Sequence, residues 1–567
     1  MKNGGHREFT PQTLRQYAFL ADGYRGALIG PMGDIGWLCM PRWDSDAVFA
    51  SLLGGAGLYA VTPADRRFVW GGFYESGSLI WHSRWVTSTG ILDCREALAL
   101  PATPDRAVLL RRISTLDGPA RVTAILDPRA GYGREPVRDL HQDASGSWTG
   151  RTGDLHFRWT GADDLLIHPG HCHDLVLELS CRPFDTAPVD AETAWRTTEQ
   201  WWRSGRPSFA DRDNMLAHAV LRGMNTPGGG LVAAATTSLP ERADAGRNYD
   251  YRYAWIRDQC YAGHAAAAAG DGPLLDAATG FITARLLTDG PGLVPAYTAA
   301  GGRVPDEQPL PFLPGYPGAP VKVGNHVNDQ FQLDVFGETL VLLAAAARLD
   351  RLDSDAWRAV ETAADAIALR WREPDSGIWE LDRRRWVHSQ LACAAGLKAA
   401  AAVAPARQAA KWRDLAHGIL THTTLYGLHP SGRWQRAFDD SRVDASLLIP
   451  AVRGVLPPED PRVVATRAAV HADLERDGHV YRFRQDRRPL GEAEGAFVLC
   501  GFVAALAAHR SGDRVQATRL FERSRGTCGP PGLYSEEYDI TEGQSRGNLP
   551  QAFVHALALE AAATLST

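Results

Sequence analysis

The chain has 567 residues, of which 45% are hydrophobic and 22% are charged, and its formal net charge is −6. This composition is typical of a globular protein with two or three domains, and it gives no support to nucleic acid or an anionic membrane as a partner. A neutral or weakly polar small molecule fits the charge better. Eight cysteines without a CxxC pair argue against a zinc ribbon and against a disulfide framework.

Targeting signals are not evident in the sequence. Residues 1–8 lead into no apolar segment, and no apolar run has the length needed to span a bilayer. We therefore expect no signal peptide, no membrane partner and a cytoplasmic, reducing location.

The first 190 residues contain short runs rich in β-branched and aromatic residues, bounded by Gly, Pro and Asp. These runs predict β-strands, and because no helical pattern intervenes we predict an antiparallel β-sandwich over residues 1–190. His171 and His173 could suggest a metal, but no further ligands accompany them, so we favour a structural or surface pair. Residues 191–235 become polar and helical, which predicts a helical linker.

From residue 236 to residue 567, segments rich in Ala and Leu at helical spacing predict helices almost throughout. Consecutive helices come in pairs, which favours a toroid of αα-hairpins over a bundle. Including one helix before residue 236, the predicted ranges are 211–224, 253–269, 273–289, 328–348, 354–372, 387–403, 406–422, 441–453, 461–475, 493–509, 513–525 and 550–565.

The loops of this toroid are unequal in length. Short loops join the helices within a pair, so the long loops between pairs must share the opposite end of the toroid. Long ordered loops are usually functional. The residues that this argument places around one mouth are Arg257, Asp258, 325–330, Glu380, Glu494 and Glu536.

Two of these loops carry candidate catalytic carboxylates. Glu380 follows Trp379, and an apolar ring beside a carboxyl group favours the protonated form that a general acid needs. A surface loop anchored by a buried Trp is the alternative explanation. Cleavage of a glycosidic bond needs a second carboxylate on the opposite wall, and Glu536, Glu537 or Glu494 could supply it.

The segment 247–258 packs three Tyr, one Trp, three Arg and two Asp into twelve residues. Adjacent Arg and Asp suit sugar hydroxyls, and aromatic rings suit the apolar faces of a sugar. A helix N-terminus held by structural salt bridges is the alternative. Asn328, in a second polar segment, is favoured as a helix cap, and no phosphate-binding loop is present.

Several motifs, in chain order, resemble glycoside hydrolase family 15, the glucoamylase-like family, in its bacterial two-domain form. They are Asn248-Tyr-Asp-Tyr-Arg-Tyr-Ala-Trp-Ile-Arg-Asp258, Val323-Gly-Asn325 with Gln330-Phe-Gln-Leu-Asp-Val-Phe-Gly-Glu338, Gly377-Ile-Trp-Glu380, Glu494-Gly-Ala-Phe497, and Glu536-Glu-Tyr-Asp539 with Gly547-Asn-Leu-Pro-Gln-Ala-Phe553. The resemblance implies an N-terminal β-sandwich followed by an (α/α)6 catalytic barrel, here over residues 236–567, and hydrolysis with inversion at the non-reducing end of an α-glucoside.

The resemblance also implies roles for individual residues. Glu380 would be the general acid and Glu536 the general base, and no metal or other cofactor would be needed. The implied substrate-binding residues are Tyr253, Trp255, Arg257, Asp258, Gln330, Trp379 and Glu537.

The substrate expected from the sequence is a small carbohydrate: isomaltose, maltose or a short α-gluco-oligosaccharide. Trehalose is the main alternative within the family. A non-catalytic carbohydrate-binding protein on the same fold is a second alternative, and an inverting phosphorylase, which would use phosphate in place of water, is a third.

Overall fold

The computed structural model describes residues 9–566, except 145, 208–210, 242–246, 318 and 486–487. The prediction about an N-terminal signal concerns residues 1–8, which lie outside the described residues. Within the part of the chain that is described, every helix falls short of the length and hydrophobicity that crossing a bilayer requires.

The N-terminal region is built from strands, as the sequence predicts. The strands are β1 (Ala18–Ala21), β2 (Gly26–Ile29), β3 (Ile35–Cys39), β4 (Ala47–Phe49), β5 (Leu58–Pro63), β6 (Phe68–Tyr74), β7 (Trp81–Thr87), β8 (Ile91–Leu98), β9 (Arg106–Asp117), β10 (Ala120–Asp127), β11 (Val137–Gln142), β12 (Trp148–Thr152), β13 (Leu155–Thr160), β14 (Asp164–Ile167) and β15 (Cys172–Ser180). A single helical turn, α1 (Ala130–Gly133), lies between β10 and β11.

These strands form an antiparallel sandwich. One side is an eight-stranded sheet in the order β11-β12-β13-β15-β9-β8-β7-β6, and the other consists of a four-stranded sheet β1-β2-β3-β4 and a three-stranded sheet β14-β10-β5. The hydroxyl of Tyr74 on β6 donates to the backbone oxygen of Phe19 on β1, and Arg111 on β9 stacks over Tyr59 on β5. The Trp side chains between the sheets, including Trp85, are buried core, as their apolar character predicts.

Two helices connect the sandwich to the rest of the chain. The last strand of the sandwich ends at Ser180, and α2 (Ala191–Arg203) and α3 (Arg212–Met224) follow. Each is capped by an aspartate that accepts a backbone hydrogen bond, Asp190 from Thr193 and Asp211 from Asp213. The division of the chain near residues 190 and 235 stays a prediction.

The C-terminal region is an (α/α)6 barrel. Its helices are α4 (Ile256–Ala269), α5 (Gly272–Asp289), α6 (Asp334–Arg348), α7 (Ser354–Arg370), α8 (Val387–Ala401), α9 (Ala406–Gly427), α10 (Ile449–Val452), α11 (Pro461–Leu474), α12 (Val498–Arg510), α13 (Arg514–Arg525) and α14 (Ala552–Leu565). The inner ring runs α4, α6, α8, α10, α12, α14, each in contact with the next, and α14 closes the ring against α4. Helix α3 and the odd-numbered helices from α5 to α13 form the outer ring.

Small residues set the spacing within the inner ring. A Cβ at Gly337 on α6 would lie 2.4 Å from the backbone of Ala392 on α8, and one at Gly396 would lie 2.4 Å from the oxygen of Gly337. The two helix backbones therefore touch, which explains why the inner helices are rich in Ala and Gly.

Four predicted helix ranges differ clearly from the structure. Helix α9 continues to Gly427 rather than ending at residue 422. The range 441–453 contains a 3-10 turn, Ala445–Leu448, followed by the four-residue α10. Helix α6 begins at Asp334 rather than residue 328, after a separate 3-10 turn, His326–Asp329. Helix α12 begins at Val498 rather than residue 493, because the preceding residues pair as a strand.

Short strands thus precede several inner helices at one end of the barrel. The two-stranded pairs are β16 (Ala254–Trp255) with β17 (Ala296–Tyr297), β18 (Gln308–Pro309) with β19 (Lys322–Val323), and β20 (Glu475–Arg476) with β21 (His479–Val480). A three-stranded set joins β22 (Ala496–Phe497), β23 (Glu537–Asp539) and β24 (Gln544–Arg546). These pairings fix the loops that carry the candidate site.

Candidate active site

The loop between α7 and α8 holds Glu380 through a buried polar turn. The side chain of Asp375 accepts hydrogen bonds from the backbone of Gly377 at 2.7 Å and from the hydroxyl of Ser389 at 2.9 Å. Trp386 donates its indole N–H to the backbone oxygen of Asp375, and a Cβ at Gly377 would lie 2.8 Å from that indole ring. The turn is therefore closed tightly against Trp386, and Gly377 has a left-handed φ of 65°.

Glu380 itself has a left-handed backbone, with φ of 54°. This region is costly for a residue with a long side chain, and such strain persists only where surrounding contacts enforce it. The Glu380 side chain accepts a 2.7 Å hydrogen bond from the indole of Trp255 and a 3.4 Å hydrogen bond from the Gln330 amide. A guanidinium nitrogen of Arg257 lies 3.8 Å from the same carboxylate.

Glu536 stands immediately before β23, and its backbone oxygen accepts from Val498 at the start of α12. The hydroxyl of Tyr251 donates to Oε1 of Glu536 over 3.1 Å. The other oxygen, Oε2, is buried without a hydrogen-bond partner among the described residues. Burial, and then the nearby charge of Glu241, raise the pKa of Glu536 well above its ordinary value, although Arg482, the Tyr251 hydroxyl and other cations oppose this shift.

The two carboxylates line one cavity. The rings of Tyr251 and Trp255, which bind Glu536 and Glu380 respectively, meet edge to face with centroids 5.5 Å apart. The cavity measures about 630 Å³, including space open to solvent. Its wall consists of Glu241, Arg247, Tyr249, Tyr251, Arg257, His326, Ile378, Trp379, Glu380, Leu381, Arg482, Phe497, Glu536 and Phe553.

Most other predicted site residues also lie at or beside this cavity. Arg257 is in the wall and donates to Gln332, whose amide donates in turn to Gln330. Trp379 is in the wall, and its indole N–H donates to Asp444 over 2.9 Å. Trp255 lies beside the wall and donates its indole N–H to the Glu380 carboxylate, which lines the cavity.

Three predicted substrate-binding residues lie behind the cavity wall that the described residues form. Asp258 is buried 3.7 Å from Arg257, and its burial raises its pKa to about 6. Tyr253 packs into a small apolar cluster, and its hydroxyl contacts Asp250. Glu537 accepts a 2.8 Å hydrogen bond from the backbone of Gly495 and pairs with Arg482 at 3.5 Å. Substrate binding by Tyr253, Asp258 and Glu537 stays a prediction.

The segment before α4 supplies wall residues that the sequence reasoning missed. Arg247, Tyr249 and Tyr251 line the cavity, whereas the alternating Asn248 and Asp250 are buried on the other side. This alternation is typical of an extended chain, so strand-like periodicity in 247–252 was the available signal. The sequence around Glu241 and Arg482 shows no comparable alternation that would have indicated a cavity wall.

A second, more open cavity of about 1090 Å³ adjoins the first and shares His326, Glu380 and Leu381 with it. Its remaining lining is polar and aromatic: Gln330, Ser376, Asp382, Arg384, Trp386, Arg436, Asp440, Arg442, Phe483, Arg484 and Gln485. Glu380 therefore stands at the junction of a narrow inner chamber and a wider outer one.

A β-sandwich joined to an (α/α)6 barrel, with two carboxylates in one polar cavity at the barrel mouth, defines a glycoside hydrolase. The family model described as Glycosyl hydrolases family 15 matches residues 212–563, and the one described as Trehalase-like, N-terminal matches residues 8–153. The chain belongs to glycosyl hydrolases family 15, as the sequence motifs predicted.

Relatives and a solved structure extend this assignment. The trehalase of Mycobacterium tuberculosis is 30% identical, over 97% of this chain and 89% of its own. The isomaltose glucohydrolase of Kribbella flavida is 29% identical, over 48% of this chain and 69% of its own. The structure of a bacterial glucoamylase complexed with acarbose matches with a TM-score of 0.67 and 13% identity, over 100% of this chain and 96% of that chain. This last likeness concerns the fold.

Proposed function

We propose that the protein is a trehalase that hydrolyses α,α-trehalose with inversion at the attacked carbon. The observation that carries this proposal is the match to a trehalase over 97% of the chain, while the match to an isomaltose glucohydrolase covers 48%. The family-model match over residues 8–153 supports the same choice. Isomaltose and maltose, the substrates first expected from the sequence, receive less support than trehalose, the alternative.

The chemistry assigns one role to each carboxylate. Glu380 donates its proton to the oxygen that bridges the two glucose units, and the bond from C1 to that oxygen breaks with its electron pair passing to the oxygen. Glu536 accepts a proton from the water whose oxygen attacks C1 from the opposite face. One water is consumed and two glucose molecules form, the attacked one as the β-anomer and the leaving one as the α-anomer.

The contacts of each carboxylate support this division of roles. Glu536 has one oxygen fixed by Tyr251, and its Oε2 is left without a hydrogen-bond partner among the described residues. A carboxylate oxygen with no protein donor can accept a proton from water. Glu380 lies at the junction of the two cavities, where an oxygen that links two sugar rings would be within its reach.

The two cavities suggest where each ring of the substrate binds. The inner chamber, with Arg257 and Trp379 in its wall, would hold the glucose that is attacked. The outer chamber, lined by Gln330 and Trp386, would hold the leaving glucose. The proposed partner is therefore a small neutral carbohydrate, and the reaction as written uses neither a metal nor another cofactor.

The experiment that tests this proposal is glucose release by the purified protein from trehalose, isomaltose, maltose, kojibiose and nigerose, with anomers followed by proton NMR in the first minutes. Turnover of trehalose with equal initial amounts of α- and β-glucose is the expected result. Retention would give α-glucose alone, and preferred cleavage of isomaltose or maltose would refute the substrate assignment. Turnover that requires added phosphate and yields a sugar phosphate would indicate a phosphorylase, and binding without turnover would indicate a carbohydrate-binding protein.

A further inference from the structure

A third carboxylate, Glu241, lines the inner chamber, and the proposed chemistry does not use it. Glu241 is buried, with 3% of its surface exposed. Its backbone N–H donates to the oxygen of Arg247, and the oxygen of the preceding Pro240 accepts from Gly547. These bonds hold Glu241 between the segment that carries Tyr251 and the loop that follows Glu536.

The side chain of Glu241 is directed at the surroundings of Glu536. The Tyr251 hydroxyl lies 3.1 Å from Glu536 Oε1 and 3.5 Å from Glu241 Oε1. A Cβ at Gly547 would lie 3.2 Å from Glu536 Oε2 and 3.9 Å from Cγ of Glu241. The Tyr251 hydroxyl thus lies within hydrogen-bond distance of both carboxylates. Gly547, which has no side chain, leaves the space beside them open.

We propose that Glu241 is a positioning residue for the general base: it shares the Tyr251 hydroxyl with Glu536, and its negative charge makes Glu536 a stronger proton acceptor. This inference rests on the proposed function, because it concerns the same base. Glu241 acts through Glu536, whereas the acid Glu380 has its own contacts, with Trp255 and Gln330.

The charges around Glu536 explain the direction of the effect. Glu241 raises the pKa of Glu536, while Arg482 and Arg247 lower it. Arg482 is bound to Glu494 at 2.5 Å and lies 3.7 Å from Glu241, and Arg247 lies 3.5 Å from both Glu241 and Glu494.

The size of the effect follows from the distance. The Oε1 atoms of Glu241 and Glu536 lie at most about 7 Å apart, since both contact the Tyr251 hydroxyl. Two unit charges at that separation, with an effective dielectric constant near 20, shift a pKa by roughly one to two units. A base with a higher pKa accepts a proton more readily once it is ionised.

The test is the pH dependence of trehalose hydrolysis by Glu241→Gln. We expect the acidic limb of kcat/KM to move down by about one pH unit or more, the plateau kcat to fall several-fold, and KM to stay nearly unchanged. Glu241→Asp should restore part of the wild-type limb. Glu199→Gln, which removes one carboxylate from helix α2 far from the cavity, is the matched control and should leave the limb in place.

A second variant keeps the inference testable if Glu241→Gln does not fold. Arg247→Gln removes a cation from the wall of the inner chamber, where the Arg247 side chain is 27% exposed. This variant should move the acidic limb in the opposite direction, to higher pH. An acidic limb that stays at its wild-type position in Glu241→Gln, or in Arg247→Gln where Glu241→Gln does not fold, would overturn the inference. An increase in KM alone would indicate a substrate contact, and a complete loss like that of Glu536→Gln would make Glu241 the base itself.

Failure of this inference and failure of the proposed function give different results. Wild-type protein that does not cleave trehalose contradicts the proposed function. If wild-type protein cleaves trehalose and the acidic limb lies at the same pH in Glu241→Gln, only the role of Glu241 is contradicted.

Discussion

Replacing Tyr251 by Phe would remove one hydroxyl group from the cavity wall and leave the ring in place. That hydroxyl donates to Glu536 over 3.1 Å, and the ring packs edge to face on Trp255 with centroids 5.5 Å apart. The variant therefore keeps the packing on Trp255 and deprives Glu536 of its hydrogen bond. Because Oε2 already has no such partner in the described part of the chain, neither oxygen of the carboxylate would then have one.

The expected magnitude follows from the strength of that bond. A hydrogen bond to a charged carboxylate contributes about 1.5–3 kcal/mol, and 1.36 kcal/mol corresponds to one pKa unit. The bond favours the ionised form, so its loss raises the pKa of Glu536 by roughly one to two units. Since the base must be ionised to act, we expect the acidic limb of kcat/KM to move to higher pH by the same amount.

The assay is initial-rate hydrolysis of trehalose from pH 4 to pH 9 by wild-type protein and Tyr251→Phe. Tyr297→Phe is a matched control, because the Tyr297 hydroxyl also donates to a carboxylate, that of Asp289, outside the cavity wall. The control should retain the wild-type limb. An acidic limb in Tyr251→Phe that stays in place or moves to lower pH would refute the assignment of Glu536 as the base that this hydroxyl supports.

Four further predictions concern single side chains. Glu380→Gln and Glu536→Gln should each lower kcat by about 10²-fold or more, with unchanged circular dichroism, and an active variant would contradict the role of the residue changed. Gly547→Ala should lower the free energy of unfolding, measured in urea, by about 1–2 kcal/mol, because the backbone φ of 81° is unfavourable for alanine. It should also lower kcat, because the new methyl group would lie 3.2 Å from Glu536 Oε2. Arg482→Met should lower the free energy of unfolding by about 3–5 kcal/mol, because Glu494 and Glu537 then lose their buried cation. An unchanged stability would show that these two acids are protonated in the native protein. His82 is partly buried, which lowers its pKa, but hydrogen bonds to Asp93 and Glu75 raise that pKa to about 9. The stability lost in His82→Phe should therefore be largest below pH 6.5 and should vanish as the pH rises through 9.

Much of the fold could be predicted from the sequence because its determinants are local. Short strands bounded by turn residues and paired helices rich in Ala each leave a periodic pattern, and the helix pairs with unequal loops lead to a toroid. The exceptions are positions where pairing between distant segments decides the structure. Residues 493–497 look helical, but Phe497 pairs with Glu537, forty residues further along the chain, so helix α12 begins only at Val498.

The residues of the candidate site also fall into two groups, those with a local sequence pattern and those placed by contacts between distant segments. The toroid brings the long loops to one end, so Glu380 and one of Glu536, Glu537 or Glu494 could be proposed from the loops. The family motif then selected Glu536. Glu241 and Arg482 could not be predicted, because their importance depends on a cluster of charges from distant parts of the chain: Glu241, Arg247, Arg482, Glu494 and Glu537. Glu537 is a further case: the family motif implies that it binds substrate, which stays a prediction, and in the structure its carboxylate contacts the Gly495 backbone and Arg482.

Glu380 and Glu536 are held by different kinds of contact, and this difference supports the different roles proposed for them. Glu380 is 24% exposed on a strained loop, between a neutral indole donor and the guanidinium of Arg257. Its backbone strain is sustained by the closed turn at Asp375, so the position of Glu380 depends on this local structure as well as on Arg257. Glu536 is buried in a group of charges that several distant segments share. A side chain that gives a proton to a departing sugar needs access to the outer chamber, whereas one that takes a proton from water benefits from a site that excludes other water. The strained loop and the buried charge cluster therefore each stabilise the arrangement that its own carboxylate requires.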